Sequence, residues 1–255
     1  MHAFEIVNEQ LAPNEYDGII TVSGDGLIHE VVNGIFRRAD RTKFLENISI
    51  GFIPGGTANG LVKSVLDFGG EDCTVENAAF VAGKGRRMKM DLTEIELEHL
   101  DHKVYSFLSF AWAIISDADI NSEVIRWIGE ARFTIWGAFR IFFKRQYPGE
   151  VELEGKRVHG KYENLNLETE EGQEESKEHD QLISGNIKLQ EDAYQHFLVQ
   201  NTPYIGANIY TCPISAINDG YNDVVVQHES QGRMPLIHYL LQMDSGNLFN
   251  KDGTF

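Results

Sequence analysis

The chain has 255 residues, 42% of them hydrophobic, and carries 22 lysines and arginines against 39 aspartates and glutamates, a formal charge of −17. Its length and apolar content suffice for one large or two small cored domains, while the charge excludes nucleic-acid binding and broad electrostatic attachment to anionic membranes. Two distant cysteines, Cys73 and Cys212, point to a reducing, cytoplasmic setting, and neither a leader nor an apolar run of eighteen residues is expected to direct or span a membrane.

The first element is at residues 19–22, where Ile-Ile-Thr-Val predicts a buried strand because the run does not alternate with polar residues. It ends in the turn Ser23-Gly24-Asp25-Gly26, and helical periodicity follows at Leu27, Ile28, Val31, Val32, Ile35 and Phe36. Strand, glycine turn and helix together hold phosphate, since glycines let the backbone approach and the first N–H groups of the helix face the anion. An aspartate inside such a turn is useful only with a metal or a proton to move. The same grammar repeats with a strand at 48–54, a small-residue loop at 55–60 and a helix opening at 61–66. Both loops should then lie at one edge of a parallel sheet. Gly56 admits close approach there, and Thr57 and Asn59 can donate to phosphate oxygens. Neither loop completes a dinucleotide fingerprint or a P-loop.

From residue 88 the pattern changes. Residues 88–98 alternate with period two, as a half-exposed antiparallel strand does, and 104–115 reads as one long apolar strand. His99 and His102 fall in a polar connection and read as a solvated turn. Residues 161–191 crowd glutamates with almost no apolar partner, which predicts a disordered acidic loop. A short strand is expected at 223–227 after the Asp219-Gly220 turn. A last helix at 233–243 has Pro235 near its start and Gly246 beyond its end. The expected class is an α/β N-terminal domain over 1–88 followed by a mostly antiparallel, sandwich-like β domain over 89–255.

The pattern Ser-Gly-Asp-Gly-Leu-x-His-Glu-Val-Val-Asn-Gly from Ser23, followed by Pro-x-Gly-Thr-x-Asn from Pro54, resembles the diacylglycerol-kinase-type catalytic domain and, within it, the sphingosine kinases. The block from Ser116 through Asp117 and Asp119 to Arg126 and Arg132 is similar to the sphingosine-kinase segment that meets the lipid head group and the nucleotide. A weaker block, Asn218-Asp219-Gly220, resembles a late turn of these kinases. The likeness runs over about 17–149 and 197–246. It implies a nucleotide-binding first domain and a lipid-binding second one, with ATP and Mg2+ as cofactors and no metal ligand assignable. Asp25 would be the catalytic base. Ser23, Gly24, Gly26, Glu30, Gly56, Thr57, Ala58, Asn59, Arg126 and Arg132 would surround ATP. Glu30 has a second reading as a solvated helix carboxylate.

Asp119 would recognise the substrate, because a carboxylate takes charge-assisted hydrogen bonds from the ammonium and hydroxyls of a sphingoid base. Diacylglycerol offers no cation to match it. Asp117 would share a face with Asp119 if the stretch is extended, either as a second head-group ligand or in a structural role. Ile114 and Ile115, with Phe107, Phe110, Trp112, Phe133 and Trp136, could line a pocket for the lipid tail or simply pack a core. The resemblance thus implies phosphorylation of the primary hydroxyl of a sphingoid base, with transient contact to a membrane surface. A diacylglycerol or ceramide kinase and a non-catalytic, truncated homologue are the alternatives. Relative to the family, both domains are expected to be incomplete, the first at its N-terminus and the second at its C-terminus.

Overall fold

The computed structural model describes residues 2–13, 15–121, 124–125, 127, 135–137, 139–140, 143, 145–156 and 184–243. They form two compact units, one of residues 1–110 with 199–224, the other of 111–198 with 225–255. The units therefore divide differently from the expected boundary at 88. Phe107 is the reason for the difference: it is buried among residues of the first unit, with Met90, Leu92, Tyr105 and Leu108 packed around the same cluster.

The first unit opens with a short helix α1 (His2–Glu5) and a single π turn (Ile6–Gln10). Strand β1 (Gly18–Ser23) leads into helix α2 (Asp25–Arg37). Helix α3 (Arg41–Asn47) returns the chain to β2 (Ser49–Pro54). β1 and β2 pair in parallel from Gly18 opposite Ser49 to Ser23 opposite Pro54, so both following loops leave the same sheet end. α4 (Gly60–Phe68) and α5 (Val75–Lys84) complete the α/β part.

Helix α2 buries its apolar stripe in two directions. Ile28 and Val32 pack with Leu61, Val62, Leu66, Ala78 and Phe107. Val31 and Ile35, a few positions round the helix, pack with Val7, Phe44 and Ile48. Gly34 lets α1 close on α2, since a Cβ there would lie 2.9 Å from the Phe4 carbonyl oxygen. The expected burial of β1 fails in part. Ile20 and Val22, on the face opposite the buried Thr21, are exposed, and among the described residues β1 pairs with β2 alone.

The remainder of the first unit is two small antiparallel pairs. β3 (Thr93–Ile95) pairs with β4 (Val104–Ser106). The period-two run over 88–98 is thus a strand only at its centre. Asn33 of α2 clamps this hairpin: its Nδ2 donates to the Tyr105 carbonyl at 2.9 Å and its Oδ1 accepts from the Tyr105 N–H at 2.8 Å. After β5 (Ser109–Ala113), at the junction of the units, come β8 (Tyr204–Gly206) and β9 (Ile209–Tyr210), the second pair.

The second unit is built on an antiparallel ladder. β6 (Tyr147–Lys156) pairs with the long β7 (Ser184–Gln200), with a register shift between Gly149 and Val151. β7 also lies between β5 and β10 (Asp223–His228). Residues 184–191, expected within the acidic loop, are therefore strand, and the rest of that loop lies outside the described residues. Helix α6 (Ile114–Asn121) follows β5 directly, so the expected single strand over 104–115 is two strands and the start of a helix. Ala113 makes the break, in the left-handed region at φ 67°. Helix α7 (Arg233–Gln242) agrees with its expected span. Among the described residues no helix is long and apolar enough to cross a membrane.

Candidate active site

The two glycine loops of the first unit meet backbone to backbone. A Cβ on Gly56 would lie 2.3 Å from the Gly24 Cα and 2.7 Å from the Gly24 nitrogen, a contact no side chain allows. The Gly55 N–H donates to the Ser23 carbonyl at 3.0 Å, which fixes the second loop against the end of β1. Ser23 Oγ donates to the Gly24 carbonyl at 3.0 Å. Sequence spacing had put both loops at one sheet edge; the added fact is that they touch.

Asp25 joins them chemically. Its Oδ2 accepts the Gly60 N–H at 2.9 Å and its Oδ1 accepts the Leu61 N–H at 3.1 Å. The carboxylate of the first loop thus caps the helix that follows the second, where an anion is stabilised by the free N–H groups and the helix dipole. Asn59, the residue before α4, sits in the left-handed conformation at φ 52°. Its side chain closes its own loop, accepting from the Gly56 N–H at 3.0 Å and donating to the Gly56 carbonyl at 2.7 Å. Asn59 is therefore a loop former here, with its amide turned back to Gly56.

Consequently the two helix starts differ in what they can offer a phosphate. The first amides of α4 are taken by Asp25. α2 begins at Asp25 with Gly24 as its cap residue and no side-chain cap, and a Cβ on Gly26 would meet nothing within 4 Å. Gly26, Gly56, Thr57 and Ala58 are exposed. The open cradle is thus the start of α2 together with the 56–58 segment. Glu30 is turned elsewhere: its Oε2 accepts the Ala3 N–H at 3.2 Å, tying α1 to α2.

In the second unit, Asp117 and Asp119 lie on helix α6, not on extended chain, so they face apart. Asp117 is 6% exposed and Asp119 is exposed. The Asp117 carboxylate accepts from Tyr147 Oη at 2.7 Å, Asn121 Nδ2 at 2.8 Å, Arg140 Nε at 3.0 Å, Arg145 at 3.0 Å and Trp136 Nε1 at 3.3 Å. Burial alone would push this carboxyl up, but Tyr147, Trp136, Arg140 and Asn121 outweigh it and hold it below its ordinary range. Of the two readings of Asp117, the structural one fits. Sequence patterning did not show this hub, because only Asn121 is a helical neighbour of Asp117, while Trp136, Arg140, Arg145 and Tyr147 come from 19 to 30 residues further on.

Ile114 is buried and Ile115 half-buried. Trp112 packs with Tyr194 and Phe197 as ordinary core. Arg126, Arg132 and Phe133 lie outside the described residues. Among the described residues no group of three or more acidic, histidine or cysteine side chains could hold a metal ion.

Residues 2–95 match the diacylglycerol kinase catalytic domain. The chain is 31% identical over 254 residues to sphingosine kinase 1 of Arabidopsis thaliana, covering 96% of this chain and 51% of that protein. It is 30% identical over 268 residues to sphingoid long chain base kinase 4 of Schizosaccharomyces pombe, covering 97% of this chain and 54% of that one. The chain thus spans about half the length of the curated relatives it matches. A diacylglycerol kinase structure from Bacillus anthracis str. Sterne superposes with a TM-score of 0.59 at 16% identity, over 99% of this chain and 67% of that one. The fold is accordingly that of the diacylglycerol kinases: an α/β N-terminal region followed by mostly antiparallel sheets. The sequence is homologous to the sphingosine kinases over nearly its whole length, with the diacylglycerol kinase catalytic domain matched across its first 95 residues.

Proposed function

We propose that the chain is the core of an ATP-dependent lipid kinase that phosphorylates the primary hydroxyl of a sphingoid base. One observation carries this reading: an aspartate held between two glycine loops that touch, beside an uncapped helix start. Such a cradle accepts phosphate oxygens on backbone N–H groups, and it keeps a carboxylate where a hydroxyl proton must be accepted. The nucleotide supplies the phosphoryl group. Ser23, Gly24 and Gly26 at the start of α2, with Gly56, Thr57 and Ala58, would bind its phosphates, Thr57 through its hydroxyl. Asn59 would act by shaping that loop. Arg126 and Arg132 are assigned to the same phosphates by resemblance alone.

Asp25 would take the proton from the lipid hydroxyl as it attacks. Its two amide bonds fix the side chain without consuming every lone pair, since a carboxylate offers about four acceptor directions. Asp119, exposed on α6, would pair with the ammonium of the sphingoid base. Ile114 and Ile115 would stand nearer the tail. An Mg2+ arriving with the nucleotide would be held mainly by its phosphate oxygens, since such an ion needs only one or two carboxylates from the protein.

The test is transfer of labelled phosphate from ATP to sphingosine and, in parallel, to diacylglycerol. Transfer to sphingosine that drops by at least about a hundredfold in Asp25→Asn is expected. Asp119→Asn is expected to spare any transfer to diacylglycerol. A folded chain that labels neither lipid overturns the proposal, and preference for diacylglycerol would favour the reading that the domain match also admits.

A further inference from the structure

The second unit holds a small cleft whose walls are unlike a lipid-tail pocket. Arg140, Arg145 and Arg233 line it with Tyr147 and Gln195, and among the described residues its apolar lining is Ile114 and Leu236. Arg140 and Arg145 share one carboxylate, Asp117. Arg233 makes no ion pair or hydrogen bond among the described residues. The nearby Glu229 receives Gln146 on its carboxylate and Gln195 on its backbone carbonyl. Three arginines therefore line one cleft, two of them paired with the Asp117 carboxylate, in a chain whose formal charge is −17.

Two further facts define what would satisfy the cleft. Arg233 stands in the first turn of α7, the end of a helix where a cation is disfavoured, and no side chain caps that end. Gln195 is 6% exposed, and among the described residues its Oε1 has no hydrogen-bond partner. A buried acceptor of this kind calls for a donor. One ligand supplies both needs: a tetrahedral oxyanion that also carries a hydroxyl proton. We propose that this cleft binds a singly protonated phosphate group, with the arginines taking its charged oxygens and Gln195 Oε1 accepting from its P–OH. Phosphate monoesters carry that proton near pH 6, and planar guanidinium forks match their oxygens. The site goes beyond the kinase reading and does not depend on it.

Inorganic phosphate, and vesicles of phosphatidylcholine with and without a phosphate-monoester lipid, are titrated into the full chain at pH 6, with arginine Nε–H resonances and vesicle co-sedimentation as readouts. Arg233→Gln is the variant, because Arg233 is exposed and supports no other side chain. Expected is saturable binding of phosphate, or of the monoester vesicles alone, that weakens about tenfold or more in Arg233→Gln. Sulfate, which carries no proton at that pH, should bind several-fold more weakly. Phosphate held at the glycine loops would be indifferent to Arg233. Binding that Arg233→Gln leaves intact, sulfate binding as tight as phosphate, or no binding of either source overturns the proposal. Phosphate transfer to sphingosine is measured separately, so failure here and failure of the kinase reading are distinct results.

Discussion

Gly56 is the residue where a single methyl group has the largest consequence. The space for its Cβ is occupied by the backbone of Gly24, which cannot swing aside as a side chain tip would. Gly56→Ala is expected to destabilise the chain by about 1–3 kcal/mol, the usual cost of overpacking. It should also lower nucleotide affinity, because the loops must part. Urea unfolding and ATP titration check both. Gly26→Ala is the matched control for the unfolding measurement, since a Cβ there meets nothing within 4 Å. The importance of these glycines was legible in the sequence from the repeated strand–loop–helix grammar. Their mutual contact was not, because it depends on the β1–β2 register. For the same reason Asn59 reads in sequence as a phosphate ligand, whereas its amide is spent on Gly56.

Helix α6 owes its place to Asp117. Five side chains from α6 and from residues 136–147 converge on that one carboxylate, which is nearly inaccessible to water. Removing it leaves Arg140, Trp136 and Tyr147 facing an unfilled acceptor site. Asp117→Ala should therefore cost about 3 kcal/mol, as breaking a buried ionic group does. Asp119→Ala, on the exposed side, should stay within about 0.5 kcal/mol. Thermal or urea denaturation of the pair separates the two aspartates. Sequence reasoning would put them on one face only if the stretch were extended. The left-handed Ala113 turns the chain into a helix instead, and a residue type so tolerant of either structure gives no warning of the turn.

Over the whole chain, the order β1, α2, β2, α4 was readable because small loops and amphipathic periods punctuate it, whereas α1, α3 and α5 were not. The second unit was less so. Its long strand β7 joins glutamate-rich sequence to a buried stretch in which Gln195, His196 and Gln200 lie inside. Polar residues at such positions mimic a surface pattern. His196 carries a consequence for stability. It has no exposed surface, its ring lies 4.5 Å from that of Tyr239, and burial holds its imidazole down at about 3. An unfolded chain takes up this proton below about pH 6.5, while the folded chain refuses it until about pH 3. The contribution is thus complete above pH 6.5 and declines as pH falls, by up to about 1.4 kcal/mol per unit. The urea midpoint of the wild type should fall more steeply between pH 7 and pH 4 than that of His196→Phe, whose ring cannot be protonated.

The bonds from Gly60 and Leu61 to Asp25 give that codon a double meaning. As a helix cap the side chain needs only an acceptor oxygen, and asparagine keeps one of the two. In the base role proposed for it, it would need a full carboxylate. A change to asparagine would therefore leave a decoy: a protein with its architecture nearly intact, still able to hold nucleotide and lipid, yet releasing both unaltered. Cells carrying such an allele would meet a competitor for substrate where they expected an enzyme, and dominance, not mere loss, would be its genetic signature.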